Sequence, residues 1–154
     1  MYIYYGSQSG TCEYLSFNLK STLEERYKLN IICDSLNNFD FSTKNDEDIF
    51  IIITSTHGEG DFPENASQFW KHIKDRKLKN DYFKNMKYIL LGLGDSNYTN
   101  YCGFAKKIDK RLLDLNAYKI YDTFYIDSVI NETEEQFDIW ISKIMYVLNN
   151  YIKV

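Results

Sequence analysis

Met1-Tyr2-Ile3-Tyr4-Tyr5 runs straight into Gly6-Ser7-Gln8-Ser9-Gly10-Thr11, after which the chain becomes helical. A short continuous apolar run is the pattern of a parallel strand buried on both faces. The helix that follows such a strand points unpaired backbone N–H groups at whatever lies beyond the strand end, so the turn can hold an anion. Ser7, Ser9 and Thr11 add hydroxyl donors, while Gly6 and Gly10 permit close backbone approach and φ values that other residues resist. The loop lacks the lysine of a triphosphate-binding loop, and so suits a terminal monophosphate. A polar strand-to-helix turn that binds nothing is the plainer alternative.

Outward from this turn, strands and helices alternate. Cys12 to Tyr27 carries Tyr14, Leu15, Phe17, Leu19 and Leu23 among polar residues, an amphipathic helix, and Leu29 to Cys33 reads as a strand. Asp34 to Lys44 reads as a loop or short helix, and Ile49-Phe50-Ile51-Ile52-Ile53 is the clearest buried strand. A helix is expected over Glu64 to Lys74, a charged connector around Asp75 to Asp81, and a fourth strand over Lys87 to Gly92. Gly103 to Leu115 is a helix with Phe104, Ile108, Leu112 and Leu115 inward, and Tyr118 to Ile126 a fifth strand. Thr133 to Tyr151 closes the chain as a helix: Glu134 and Glu135 complement the dipole of its first turn, and Phe137, Trp140, Ile141, Ile144 and Leu148 form the buried face.

The 154 residues suit one compact domain. A net charge of -4 and a pI near 5.2 argue against a nucleic-acid backbone binder. Cys12, Cys33 and Cys102 are odd in number, widely spaced and without a nearby His, the usage of a reducing compartment and not of a metal site. No segment approaches the run of about eighteen apolar residues that a membrane span needs. Met1 enters the first strand without a signal peptide, so a cytoplasmic chain with no membrane contact is expected.

Strands alternating with helices imply a doubly wound parallel α/β sheet, with ligands beyond the carboxyl ends of the strands. Every unusual loop falls at such an end. After strand one stands GSQSGT, after strand three Ser55-Thr56-His57-Gly58-Glu59-Gly60-Asp61-Phe62-Pro63-Glu64-Asn65, and after strand four Leu93-Gly94-Asp95-Ser96-Asn97-Tyr98-Thr99-Asn100-Tyr101-Cys102. One loop is a phosphate cradle. The other two are glycine-rich with an imidazole or aromatic ring at the tip, as needed to sandwich a planar heterocycle. Phosphate, polyol and flat ring in that order describe FMN.

Over nearly its whole length the chain resembles the flavodoxin-like FMN domain of the NADPH-dependent diflavin reductases. GSQSGTCE, STHGEGDFPENASQFW and LGLGDSNYTNYCGFAKKIDKRLLDLNA carry the resemblance in order, spacing and flanking structure. Leu91 to Asp127 is most similar to the methionine synthase reductases, whereas GDFPEN with QFWKHIKDRKL also suits the reductases that feed cytosolic iron–sulfur assembly. The resemblance implies a three-layer sandwich with a five-stranded parallel sheet of order 2-1-3-4-5, helices on both faces, and residues 1–154 as a single FMN-binding domain. It further implies that Ser7, Gln8, Ser9, Gly10 and Thr11 hold the FMN phosphate. Ser55, Thr56, His57 and Gly58 would line one side of the ring. Leu93, Gly94, Asp95, Asn97 and Tyr98 would follow the pyrimidine and ribityl parts, with Tyr98 stacked on the outer face. Tyr101 and Cys102 lie in the same loop, and Asp127 stands where the family places an acidic residue near the flavin. His57 departs from the Tyr or Thr of other members; it is either a tuning imidazole or a solvent-facing loop residue.

No catalytic acid, base or nucleophile and no metal site is expected. His57 with Glu59 or Asp61 lacks a third orienting group, and a hydrolase is the weakest reading. The resemblance implies an oxidoreductase component that takes electrons from an FAD/NADPH-binding reductase domain, fused or separate, and passes them singly to a metal or haem acceptor protein. FAD and NADPH would sit only on that other domain. Glu59, Asp61, Glu64 and Asp95 would give the flavin edge a negative rim for an acceptor with a basic docking face. A stand-alone flavodoxin-type carrier and a cofactor-free binding module on the same fold are the alternatives.

Overall fold

The computed structural model describes residues 1–42 and 46–153. Its strands are β1 (Tyr2–Gly6), β2 (Ile32–Ser35), β3 (Ile49–Ser55), β4 (Lys87–Gly94), β5 (Tyr118–Lys119) and β6 (Phe124–Asp127). The helices are α1 (Thr11–Tyr27), α2 (Ser67–Ile73), α3 (Gly103–Asp114) and α4 (Thr133–Leu148), with single 3₁₀ turns at Leu36–Asn38 and Glu64–Ala66. All strand pairs are parallel, and the order β2-β1-β3-β4-β5 is the one expected.

β3 explains why the sheet has two covered faces. Ile49, Ile51 and Ile53 point into one core, with Leu15, Leu19 and Leu23 of α1 and Trp140, Ile144 and Leu148 of α4. Phe50 and Ile52 point into the other, with Phe69 and Ile73 of α2 and Phe104, Ile108 and Leu112 of α3. Each such side chain contributes about 2 kcal/mol by leaving water, so both faces stabilise the strand and neither is free for a ligand. The strand ends are what remains.

The structure corrects several expected boundaries. Tyr14 and Phe17 of α1 are 55% and 43% exposed, and the buried stripe instead uses Cys12, Leu15, Ser16, Leu19, Leu23 and Tyr27. Lys28 ends α1 in the left-handed region, and Ile31 is then pinned back onto the helix: its N–H donates to Glu24 Oε1 at 2.9 Å and its carbonyl accepts from Lys20 Nζ. The second strand therefore begins at Ile32 and not at Leu29. Of the stretch Asp34 to Lys44, Asp34 and Ser35 belong to β2, and the described residues beyond them form the one short 3₁₀ turn Leu36–Asn38; positions 43 and 44 lie outside the described residues. The helix expected from Glu64 opens as a 3₁₀ turn behind Pro63 and becomes α-helical at Ser67, while α4 stops at Leu148, ahead of the poor helix formers Asn149 and Asn150.

The fifth strand position is split. β5 lies along Lys87–Tyr88 and β6 along Leu91–Gly94. Asp109 of α3 holds the broken stretch: its carboxylate accepts from Tyr88 Oη at 2.6 Å, Lys119 Nζ at 2.9 Å and Thr123 Oγ1 at 3.0 Å. Burial, with Asp109 alongside, pushes the Tyr88 hydroxyl well above the usual phenol range, so it remains a donor. At the far end Asp127 is buried, and its carboxylate accepts from the N–H groups of Ser96 and Val129, each at 3.1 Å. Hydrogen bonding from Ser96 and then Val129 holds this carboxyl below its ordinary range, against the opposing effect of burial.

Two outcomes are expected. A Cβ at Gly92 would stand 2.7 Å from the Ala105 Cβ and 3.1 Å from the Tyr125 ring. Gly92→Ala should therefore lower stability by about 1–3 kcal/mol in urea unfolding by forcing α3 off β4. Because the folded-state value of Asp127 is depressed, its stabilisation is present above the ordinary Asp range and is lost as pH falls through the folded value. Urea midpoints measured downward from about pH 4 should thus fall less steeply in Asp127→Asn than in the parent.

Candidate functional site

The carboxyl ends of β1, β3, β4 and β6 finish around one open cleft of about 290 Å³. The first loop builds its α1 end. Gly10 has φ 88°, which demands glycine, and opens into free space. The Ser7 hydroxyl accepts from the N–H groups of Gly10 at 2.9 Å and Cys12 at 3.2 Å, satisfying donors at the helix start. Ser7 N–H in turn donates to Asn65 Oδ1 at 2.8 Å, and Gln8 Oε1 accepts from Glu64 N–H at 3.4 Å. Ser7 and Gln8 thus shape the loop. Ser9 and Thr11, their hydroxyls 3.2 Å apart, are the side chains that face the cleft at the N-terminus of α1.

The second loop continues β3. Ser55, Thr56 and Gly58 line the cleft. Thr56 Oγ1 accepts from Phe104 N–H at 3.1 Å and so fixes the start of α3. The backbones of His57 and Asp61 exchange hydrogen bonds of 2.8 and 2.9 Å, closing a tight turn with positive φ at Gly58 and Gly60. The His57 side chain is exposed and does not line the cleft. Asn100 Nδ2 donates to the Glu59 carbonyl at 2.9 Å and Lys107 Nζ to the Gly60 carbonyl at 3.0 Å, so this turn is tied to the third loop and to α3.

From the third loop, Leu93, Gly94, Asp95, Tyr98, Tyr101 and Cys102 line the cleft. Asp95 folds its own loop by accepting from Asn97 N–H at 2.8 Å, a side-chain turn that leaves Asn97 exposed and outside the cleft. Tyr98 is 53% exposed, a ring presented to solvent at the mouth. Lys106 Nζ lies 5.2 Å from the Tyr101 ring centre and 5.5 Å from that of Tyr125, within cation–π range. A Cβ on Gly94 would approach Cys102 Sγ to 2.8 Å, so the glycine admits the thiol beneath the cleft floor. Burial pushes the Cys102 thiol up to about 11 and the Cys12 thiol to about 12; neither is a thiolate near neutral pH, and nucleophilic sulfur chemistry has no basis here.

Of the sequence-predicted residues, Ser9, Thr11, Ser55, Thr56, Gly58, Leu93, Gly94, Asp95, Tyr98, Tyr101 and Cys102 come together. Ser7, Gln8, Gly10, His57, Asn97 and Asp127 do not line the cleft; among them Ser7, Gln8 and Asp127 use their polar atoms to hold loops. Asn65 and Asn100 went unmarked in the sequence, although both stand inside the loops singled out there, and their ties span 58 and 41 positions. Ile126, Ser128 and Thr133, from the end of β6 onward, complete the wall and carried no local signal.

The donor set tests whether a flavin mononucleotide fits. A helix N-terminus with two hydroxyls stands at one end, Ser55 and Thr56 come next, and tyrosines stand at the third loop. That sequence of groups matches a terminal phosphate, a polyol and a flat ring.

The family model described as flavodoxin matches residues 3–140. Methionine synthase reductase of Caenorhabditis elegans is 36% identical over 150 residues, which are 95% of this chain and 21% of that protein. The flavoprotein alpha-component of the NADPH sulfite reductase of Buchnera aphidicola is 32% identical over 148 residues, 96% of this chain and 24% of that protein. The chain thus spans less than a quarter of these reductases. A mutant flavodoxin from Pseudomonas aeruginosa superposes with a TM-score of 0.73 at 19% identity, covering 96% of this chain and 97% of its own, which shows the shared fold. With the strand order, the strand-end cleft and a match over residues 3–140, the chain belongs to the flavodoxin family, whose cofactor is FMN.

Proposed function

We propose that residues 1–154 form one FMN-binding electron-transfer domain of the diflavin-reductase type, working in the cytoplasm. It would take electrons from an FAD/NADPH-binding reductase module and deliver them singly to a metal or haem acceptor protein. The observation that carries this reading is the ordered donor set along the cleft at the ends of β1, β3, β4 and β6. The relatives support the setting, being named as reductases of methionine synthase and as the flavoprotein part of an NADPH sulfite reductase. Among the described residues no helix is long and apolar enough to cross a membrane.

When bound, FMN supplies one- and two-electron transfer, which no amino-acid side chain of the cleft offers. Ser9, Thr11 and the free N–H groups of α1 would hold its phosphate, with Gly10 leaving room for close approach. Ser7, Gln8 and Asn65 keep that loop in shape before any ligand arrives. Ser55, Thr56, Gly58, Leu93, Gly94 and Asp95 would border the polyol and one edge of the ring, and Tyr98 would cover its outer face. Tyr101 and Cys102 pack the floor, while Asp127 holds the third loop in place. His57 would act through its backbone, which closes the turn.

A stand-alone carrier of the same fold, reduced by a separate enzyme, is the alternative. Adding a separate NADPH-dependent reductase to the flavin-loaded protein distinguishes the two by whether it is reduced without a fused partner.

The primary test is flavin retention, read as the visible spectrum after gel filtration of the protein mixed with FMN. A retained, fluorescence-quenched flavin is expected. Ser9→Ala and Thr11→Val should each raise the FMN Kd about tenfold, the size of one lost charge-assisted hydrogen bond. Tyr98→Ala should raise it about fivefold by removing a stacking surface worth about 1 kcal/mol. A folded protein that retains no flavin would leave the cofactor-free binding module. For the exposed rim, Glu59→Lys with Asp61→Lys should slow electron delivery to a basic acceptor at low salt and flatten the dependence of rate on ionic strength, measured by stopped flow.

A further inference from the structure

On the α2 and α3 side, outside the cleft, lies a second depression of about 260 Å³. Trp70 and five cations, Lys74, Arg76, Lys107, Lys110 and Arg111, line it, in a chain whose net charge is -4. The one acid in its wall, Asp114, is engaged by Lys110 at 3.1 Å. Arg111 spends its fork on the carbonyls of Ile73 and Asp75, and Lys107 holds the Gly60 carbonyl. Carbonyls do not neutralise these charges. Lys74 and Arg76 are exposed, and neither side chain enters a hydrogen bond or ion pair with the described residues. The half-buried indole of Trp70 is anchored edge-on to the Phe104 ring, 5.8 Å between centres at 82°.

The chemistry narrows the occupant. A compact dianion such as a phosphate needs convergent N–H groups or a free guanidinium fork. Here the Arg111 fork is occupied, and Lys74 caps the C-terminal end of α2, where carbonyls and not N–H groups face outward. What is free is dispersed: two unpaired cations, the aliphatic stems of three more, and an aromatic surface. That pattern complements single carboxylates spaced along a chain, with an apolar side chain between them.

We propose that this depression binds an acidic segment of a partner protein, an apolar side chain seated against Trp70 and carboxylates reaching Lys74 and Arg76. The site is of opposite sign to the rim formed by Glu59 and Asp61, and Lys107 belongs to both neighbourhoods through the Gly60 carbonyl. A partner held here lies beside the cleft and oriented by two patches of opposite charge. The inference does not depend on the flavin and is tested without it.

The probe is a short synthetic peptide alternating Glu with Leu, titrated into the protein while tryptophan emission is followed. The second tryptophan, Trp140, is fully buried, so an emission change reports Trp70. Saturable binding is expected, weakening about tenfold between low and physiological salt, and weakening at least about tenfold in the double variant Lys74→Glu with Arg76→Glu. That variant should keep the parent's far-UV circular dichroism and urea midpoint. A peptide with Ser in place of Leu should bind more weakly. Unchanged peptide affinity in the folded double variant would overturn the proposal. So would an equal Trp70 response to inorganic phosphate, ATP or phosphatidylserine vesicles, which would reassign the pocket to a small anion or a membrane surface.

Discussion

Burial of β3 on both faces is the constraint from which the rest follows. Ile49, Ile51 and Ile53 belong to one core and Phe50 and Ile52 to the other, so helices must cover both sides of the sheet. A parallel sheet enclosed this way leaves only the strand ends open to solvent. Gly6, Ser55, Gly94 and Asp127 end their strands in register or nearly so, and the loops that leave them are forced into one neighbourhood. The cleft is a by-product of that enclosure.

What makes the neighbourhood a site is the set of bonds between loops. Ser7 N–H to Asn65, Phe104 N–H to Thr56, Asn100 to the Glu59 carbonyl, and Ser96 N–H to Asp127 each join segments far apart in the chain. Each contributes about 1 kcal/mol, modest beside the cores. Their larger effect is preorganisation: polar groups that will meet a ligand are already aimed, so less ordering free energy is lost on binding. The same ties explain the division of labour within the first loop. Ser7 is consumed in building the turn, and Ser9 and Thr11 are left to act.

Charge is distributed with comparable economy. The chain is acidic overall, yet beside Glu59 and Asp61 on the turn at the cleft it gathers a group of cations around Trp70 across α3. Lys107 reaches from the second region to the first. A surface with two poles directs the approach of a partner more sharply than net charge does, because orientation and not only encounter is rewarded.

Local pattern determined much of this protein. Apolar runs such as Met1 to Tyr5 and Ile49 to Ile53 are the mark of two-faced burial, the helical spacing of Phe104, Ile108 and Leu112 sets the inward stripe of α3, and the glycine-rich loops stand where strands must end. Those signals are short-range, so the order of elements and the location of the cleft could be read from the chain alone. Tertiary contacts decided the rest. Ile31 moved the start of β2 by bonding to α1, Asp109 divided the fifth strand by gathering Tyr88, Lys119 and Thr123, and Asp127 turned its carboxylate to the loop of Ser96. Asn65, Asn100 and the charged depression around Trp70 depend likewise on partners many positions away. Periodicity records which face of an element is buried; which polar atom finds which partner is settled only when the elements pack, because a hydrogen bond is decided by distance and direction in space.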